Sequence, residues 1–315
     1  MNERPVYPQT LRPGDTIALF APAGPLRRPD RLRAGIDILE QAGYRVLLPP
    51  DLPRREQDYL AGDDSSRLAE LHRLWADDSV RALVAVRGGY GCLRLLPHLD
   101  FELIRQRPKL LLGFSDLTAL LRAVGQGANL VTFHGAMAGN LDSSDRDTVE
   151  ATLALLAGRL PWQRRLTGIE VLRGGRARGR LAGGNLTTLA HLLATPWEGD
   201  WANTLLLLED TGEAPYRIDR LLTQLQLSGR LTQICGLLLG DFHAIGDDPA
   251  QARAQREAIW QRALDLTEAA GIPVWGGLPL GHAGRNLPWP LGVEAEMDSG
   301  RNTVTLLPES VQWTS

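Results

Sequence analysis

This chain of 315 residues alternates short apolar segments with amphipathic helical segments, and few folds accommodate that alternation. In the first half, helical patterns separate strand-like segments at residues 16–24, 44–50, 80–86, 109–114 and 129–135. Strands that are apolar along their whole length are typical of a parallel sheet covered by helices on both faces. The sequence therefore predicts the α/β class, in which ligands bind beyond the carboxyl ends of the strands.

A second α/β region follows a Gly- and Arg-rich stretch that reads GGRARGR at residues 174–180. We place the domain junction there, and the predicted parts are an N-terminal domain over 1–145, a linker over 146–178 and a C-terminal domain over 179–315. Residues 179–197 predict a strand, a Gly-Gly-Asn turn and a helix. The residues on both sides of DSGRN predict a β-hairpin.

Composition and charge argue against several classes of protein. A net charge of -3 does not suit a nucleic-acid partner, which normally meets a basic patch. No run of about 18 apolar residues predicts a membrane span, and the absence of an apolar signal segment predicts a cytoplasmic protein. Cys92 and Cys235 are too far apart for a disulfide framework or a metal spacing. Nucleotide-binding and HExxH motifs are absent, so neither a cofactor nor a metal is expected.

Ser115 stands where the apolar segment 109–114 passes into the helical pattern 116–127. A sharp strand-to-helix turn would expose the serine hydroxyl beside the N–H groups of the helix, as a nucleophile needs. Serine is also a favoured N-cap, which needs no catalytic role. The G-x-S-x-G pattern is incomplete because Leu117 occupies the position of the last glycine. This stretch alone leaves both interpretations open.

A nucleophilic serine needs a base and an acid that orients the base. Glu209 ends the apolar segment 203–210, and His282 lies in the Gly-rich segment PLGHAGRN, where glycines let a loop approach another domain. Alternatives remain for both roles. They are Asp210 and Glu213 for the acid and His134 for the base. The segment RGGYG at 87–91 offers backbone N–H groups for an anion, although any tight turn can use a Gly-Gly pair.

Six short segments together resemble the LD-carboxypeptidases, a serine peptidase family that also contains the microcin C immunity peptidases. They follow one another in the family's order as RGGYG (87–91), GFSD (113–116), HG (134–135), GGNL (183–186), LLEDTGEAPYRIDR (207–220) and LPLGHAGRN (278–286). The resemblance extends from about Pro13 to Leu307. Each segment is short, and their common order makes the resemblance specific.

The resemblance implies a role for each matching residue. Ser115 matches the nucleophile, Glu209 the acid and His282 the base of a catalytic triad. The predicted oxyanion hole consists of Gly88, Gly89 and the backbone N–H of Asp116. A candidate substrate pocket consists of Tyr90, His134, Asn185 and Glu213.

The resemblance also implies an architecture and a substrate. The family combines an N-terminal flavodoxin-like or glutamine-amidotransferase-like parallel-sheet domain with a smaller C-terminal α/β domain, and its active site lies at their junction. The implied protein is a cytoplasmic homodimer that removes the terminal D-alanine of murein tetrapeptides at an L,D-bond during cell-wall recycling. The segment that follows the acidic pair reads TGEAPYRIDR, whereas the microcin C branch typically carries SLK there. This difference favours a murein substrate over the substrate of the microcin C branch.

Two further classes remain as alternatives. A non-enzymatic two-domain protein that captures a peptide would explain two α/β domains and Gly-rich strand ends. An amidotransferase-type hydrolase would need a cysteine at position 115, and Cys92 lies away from that turn.

Overall fold

The chain divides into two units, each built around one sheet, and the computed structural model describes residues 4–52, 55–242 and 248–307. The first unit contains the residues up to Leu160 and the segment Leu287–Pro290. The second contains Pro161–Asn286 and the described residues 291–307. The boundary falls inside the predicted linker 146–178, which itself contains a helix and short strands.

The first unit has a six-stranded sheet. Its strands are β1 (Thr16–Phe20), β2 (Arg45–Leu47), β3 (Val80–Ala85), β4 (Leu110–Gly113), β5 (Thr132–His134) and β12 (Trp289–Leu291), in the order β12-β5-β4-β3-β1-β2. The pairings from β2 to β5 are all parallel. All residues of β1, β4 and β5 are buried, because helices cover both faces of such a sheet. This confirms the predicted parallel α/β class.

Helices of the first unit connect these strands. They are α1 (Pro29–Gln41), α2 (Asp64–Ala76), α3 (Phe101–Gln106), α4 (Leu117–Ala128) and α5 (Arg146–Leu156), with 3-10 helices over Cys92–His98 and Ala138–Asn140. Side chains at their starts determine where several of them begin. For example, Asp63 caps α2 by accepting a hydrogen bond from the N–H of Ser66.

The second unit has an eight-stranded mixed sheet. Its strands are β6 (Gln163–Arg165), β7 (Glu170–Arg173), β8 (Arg176–Asn185), β9 (Thr204–Glu209), β10 (Gly236–Leu239), β11 (Val274–Gly276), β13 (Glu294–Asp298) and β14 (Thr303–Leu306), in the order β6-β14-β13-β8-β9-β10-β11-β7. Strands β8 to β11 pair in parallel, and the outer strands pair antiparallel. Its helices are α6 (Leu186–Leu192), α7 (Pro215–Leu227) and α8 (Pro249–Leu266). The predicted hairpin is confirmed as β13 and β14.

The predicted Gly-Gly-Asn turn is wrong, because β8 continues through Gly183 and Gly184 to Asn185. Gly183 has a φ of 138°, a conformation that favours glycine, and a Cβ there would lie 1.9 Å from the carbonyl oxygen of Leu207. The glycine pair therefore serves the close approach of β8 to β9 and does not reverse the chain. Among the described residues, none of the helices combines the length and the apolar character that a membrane crossing requires.

Candidate active site

Ser115 occupies a strained turn between β4 and α4. Its φ is 64°, a region that residues with a Cβ rarely adopt and that costs about 1–3 kcal/mol. Helix α4 begins at Leu117, and Asp116 takes the N-cap position with helical backbone angles. Ser115 is therefore not the capping residue. Its half-buried side chain stands on the sharp strand-to-helix turn that the sequence suggested.

The turn that contains Gly88 packs directly against Ser115. A Cβ on Gly88 would lie 2.8 Å from Cβ of Ser115, 2.9 Å from its Oγ and 3.4 Å from the backbone nitrogen of Asp116. Gly89 has a φ of 119°, and a Cβ there would lie 3.2 Å from Cα of Gly24. The structure therefore brings together Ser115 and Asp116 with the Gly-Gly turn of the predicted oxyanion hole.

In the second unit, Glu209 and His282 form a close pair. Glu209 ends β9, and its Oε2 lies 2.7 Å from Nδ1 of His282. The carboxylate is fully buried, whereas the imidazole is 19% exposed. A proton on Nδ1 shared with the carboxylate makes Nε2 the nitrogen that accepts a proton in the neutral ring.

Charges around His282 determine the direction of its pKa shift. Burial lowers the pKa of the imidazole. The charge and hydrogen bond of Glu209, with smaller contributions from Asp210 and Asp241, outweigh burial and raise the pKa above its ordinary value. The pair therefore stabilises the imidazolium that a general base forms when it takes a proton.

Hydrogen bonds fix the loop that carries His282. The N–H of Gly281 donates to Oδ1 of Asn286 at 3.3 Å, and the N–H of Ala283 donates to Oδ2 of Asp241 at 3.2 Å. Asp241 follows the apolar strand β10 as Glu209 ends β9. An acid at the end of an apolar strand was thus a signal that could have identified Asp241, which the sequence reasoning missed.

Asp210, the neighbouring alternative for the acid, has different partners. It accepts hydrogen bonds from Nδ2 of Asn185 at 3.1 Å and from the N–H and Oγ1 of Thr187 at 2.8 and 2.7 Å. Burial raises its pKa in spite of the bonds from Thr187. Asn185, predicted for the pocket, caps α6 through the N–H and hydroxyl of Thr188. Both side chains thus stabilise the start of α6.

The other three residues of the predicted pocket differ in exposure and in their partners. His134 is fully buried opposite Gly113 on the strand next to that of Ser115, with its ring centroid 5.8 Å from that of Phe114. Tyr90 is exposed and its ring contacts that of Tyr59, with centroids 5.5 Å apart. Nη1 of Arg217 lies 3.3 Å from the carboxylate of Glu213.

Two remaining candidates are a thiol and an alternative histidine. Cys92 is fully buried, and burial together with the nearby Asp116 raises the pKa of its thiol well above the usual value. Such a thiol is a poor nucleophile at neutral pH. His243, which follows the apolar segment 233–242 without a supporting motif, lies outside the described residues.

Residues 17–135 match the family described as the LD-carboxypeptidase N-terminal domain, and residues 178–297 match the LD-carboxypeptidase C-terminal domain. A probable murein peptide carboxypeptidase of Bacillus subtilis is 36% identical over 95% of this chain and 93% of its own length. A murein tetrapeptide carboxypeptidase of Pseudomonas aeruginosa is 35% identical over 96% of this chain and 99% of its own. The crystal structure of a muramoyltetrapeptide carboxypeptidase from Oxalobacter formigenes has 30% identity and a TM-score of 0.74, covering 92% of this chain and 97% of that one.

Proposed function

Because this chain belongs to the LD-carboxypeptidase family, we propose that it is a serine carboxypeptidase acting on murein tetrapeptides. The proposed reaction hydrolyses the L,D-peptide bond before the terminal D-alanine. The observation that carries the proposal is the 2.7 Å contact between Nδ1 of His282 and Oε2 of Glu209. This pairing supplies an oriented base with a raised pKa, as a serine mechanism requires.

In the proposed mechanism, Nε2 of His282 takes the hydroxyl proton of Ser115 as the serine attacks the carbonyl carbon. The same nitrogen then gives the proton to the leaving D-alanine, and water resolves the acyl-enzyme by the reverse sequence. Glu209 holds the ring tautomer and stabilises its charged form.

The oxyanion hole of this proposal consists of backbone N–H groups at Gly88, Gly89 and Asp116. A negative oxygen develops on the attacked carbonyl, and donors that are already in place stabilise it. The close approach of Gly88 to the Ser115 side chain supports this assignment, because no side chain separates the turn from the nucleophile.

Replacing the nucleophile tests the mechanism. Ser115→Ala should reduce D-alanine release from muramoyl tetrapeptide by roughly 10⁴ to 10⁶-fold, since the triad acts as a unit. Ser228→Ala is the matched control, because Ser228 caps the end of α7 with its hydroxyl bonded to the carbonyl of Leu225. Full activity in a folded Ser115→Ala protein would rule out the serine mechanism.

The same assay separates the alternatives. A relative at 25% identity is named a microcin C7 self-immunity protein of Escherichia coli. Aminoacyl sulfamoyl nucleosides are bound in solved structures of that protein. Cleavage of such a compound and not of the tetrapeptide would assign the chain to that branch. Tight tetrapeptide binding without any D-alanine release would instead indicate a peptide-binding protein.

We also propose that the enzyme is a cytoplasmic homodimer, as the resemblance implies.

A further inference from the structure

Arg67, in the first turns of α2, is a buried arginine that joins three loops of the first unit. Its side chain is 0% exposed. A buried charge is costly unless every donor has a partner. The guanidinium donates to carbonyl oxygens and a carboxylate: Gly62 at 3.2 Å, Gly91 at 3.1 Å, Pro22 and Asp64. Pro22 follows β1, Gly62 precedes α2, and Gly91 belongs to the RGGYG turn.

The guanidinium of Arg67 lies so close to Gly91 that a side chain at that position would collide with it. Gly91 has a φ of 129°, and a Cβ there would lie 2.8 Å from Nη1 of Arg67. The last residue of the RGGYG turn therefore lies directly against the guanidinium. Asp64 extends the contact to the next segment, because its Oδ2 also accepts from Nε of Arg94 at 2.9 Å.

Two further hydrogen bonds, one of them to the neighbour of Ser115, also hold the RGGYG turn. The N–H of Cys92 donates to Oδ2 of Asp116 at 2.8 Å, and Asp116 is the neighbour of Ser115. At the start of the turn, the N–H of Gly24 donates to the carbonyl of Gly88 at 3.1 Å. The turn is therefore fixed at both ends. At its far end, Arg67 binds the carbonyl and Asp116 binds the N–H of the same peptide group, the one that joins Gly91 to Cys92.

We propose that Arg67 is a positioning residue for the oxyanion hole, which by holding the carbonyl of Gly91 sets the place of Gly88 and Gly89 against Ser115. The inference rests on the proposed function, because it gives the turn a role in the reaction. Donors displaced by about 1 Å from a developing oxyanion can cost roughly 100-fold in rate. Lysine cannot replace the arginine, since one ammonium group lacks the planar fork that reaches several carbonyls at once.

The test compares Arg67→Lys with wild type in the full-length chain. We expect kcat for D-alanine release to fall about 10- to 100-fold while KM changes less than about threefold, because the oxyanion forms only in the transition state. Arg173→Lys is the matched control. Arg173, in the second unit, donates to four oxygens, those of Leu264, Ile272 and both the carbonyl and hydroxyl of Thr267. Its replacement should lower Tm but leave kcat unchanged.

A second readout separates positioning from general loss of structure. A fluorophosphonate probe labels the nucleophilic serine through an anionic transition state that uses the same donors, whereas the tripeptide product binds without forming an oxyanion. Arg67→Lys should slow labelling of Ser115 about 10- to 100-fold and leave the Kd of the tripeptide unchanged. Asp64→Asn, which alters only one partner of Arg67, should give a smaller loss of the same kind if Arg67→Lys fails to fold.

The outcomes distinguish this inference from the proposed function. Wild-type kcat and labelling rates in folded Arg67→Lys or Asp64→Asn, beside an active wild-type enzyme, would overturn the positioning role alone. A parallel loss of kcat in Arg173→Lys would also overturn it, because any damaged arginine would then suffice. A wild-type protein that neither cleaves the tetrapeptide nor reacts with the probe would instead contradict the proposed function.

Discussion

At the level of single residues, the strained backbone of Ser115 should lower the free energy of unfolding of the protein. Ser115→Ala and Ser115→Gly both remove the hydroxyl, but only glycine adopts a φ of 64° without strain. We therefore expect the glycine variant to be more stable than the alanine variant by about 1 kcal/mol. Urea unfolding of both variants measures the difference. Equal stability would show that the turn relaxes when the side chain is removed.

His282 should control the acidic side of the pH–rate profile. In the proposed mechanism His282 acts as a base when it is neutral, so kcat/KM should rise with pH through the pKa of His282, which lies above its usual value of about 6.5. Glu209→Gln removes the charge that favours the imidazolium, so the rise should move to lower pH while the plateau falls. A profile of Glu209→Gln that is unmoved or displaced to higher pH would contradict this.

The same raised pKa has a consequence for folding. Protonation of His282 contributes stability that is fully present below the unfolded pKa, about 6.5, and is lost as pH rises through the folded pKa. The wild-type unfolding free energy should therefore decrease across that interval. In Glu209→Gln the decrease should shrink, and unfolding curves at a series of pH values would measure both. An equal decrease in the two proteins would assign the effect to other groups.

Sequence alone could predict some of these residues and not others. The sequence offers Ser115, Glu209 and His282 as candidates because each stands at the end of an apolar segment or in a Gly-rich loop. Spacing alone left Glu209 and Asp210 open for the acid, and only the structure shows their separate partners, His282 for Glu209 and Asn185 with Thr187 for Asp210. Arg67 was hidden inside an amphipathic helical pattern. Its partners Pro22 and Gly91 lie 45 and 24 residues away along the chain, so only the folded structure reveals its burial.

At the scale of elements, helix α4 provides a matched pair of glycines. A Cβ on Gly125 would meet the carbonyl oxygen of Leu130 at an ordinary 3.5 Å, whereas one on Gly127 would lie 2.3 Å from the ring of Phe101. Gly125→Ala should therefore stabilise the protein by about 0.5–1 kcal/mol, as alanine favours helix more than glycine does. Gly127→Ala should destabilise it by about 1–3 kcal/mol through overpacking.

Thermal unfolding of both α4 variants would measure these opposite signs, and activity should stay unchanged in Gly125→Ala. Two variants with the same sign of ΔTm would contradict the packing described for the helix.

The long apolar strands were predictable because burial on both faces leaves a continuous signal. The short strands β6, β7 and β12 carry little such signal. The Gly183–Gly184 pair resembled a turn because close approach between strands and chain reversal both select glycine.

At the scale of the whole molecule, the assembly state can be tested directly. The proposed homodimer predicts a sedimenting species of twice the 34.5 kDa chain mass at micromolar concentration. Dilution should convert it to monomer only near its dissociation constant. A single species of 34.5 kDa at every concentration would refute the proposal. The junction could not be located from the Gly- and Arg-rich segment 174–180, because most of it begins β8, an interior strand of the second unit's sheet.

The place of β12 has a consequence for biosynthesis. This strand completes the first unit's sheet beside β5, yet it is translated after the whole segment 161–286. At roughly 5–20 residues per second, that segment takes on the order of 10 s to leave the ribosome. During this interval the nascent first unit exposes the hydrogen-bonding edge of β5, which invites pairing with other chains. Recovery of the protein from fast overexpression should therefore improve when synthesis is slowed or when chaperones that bind nascent chains are abundant.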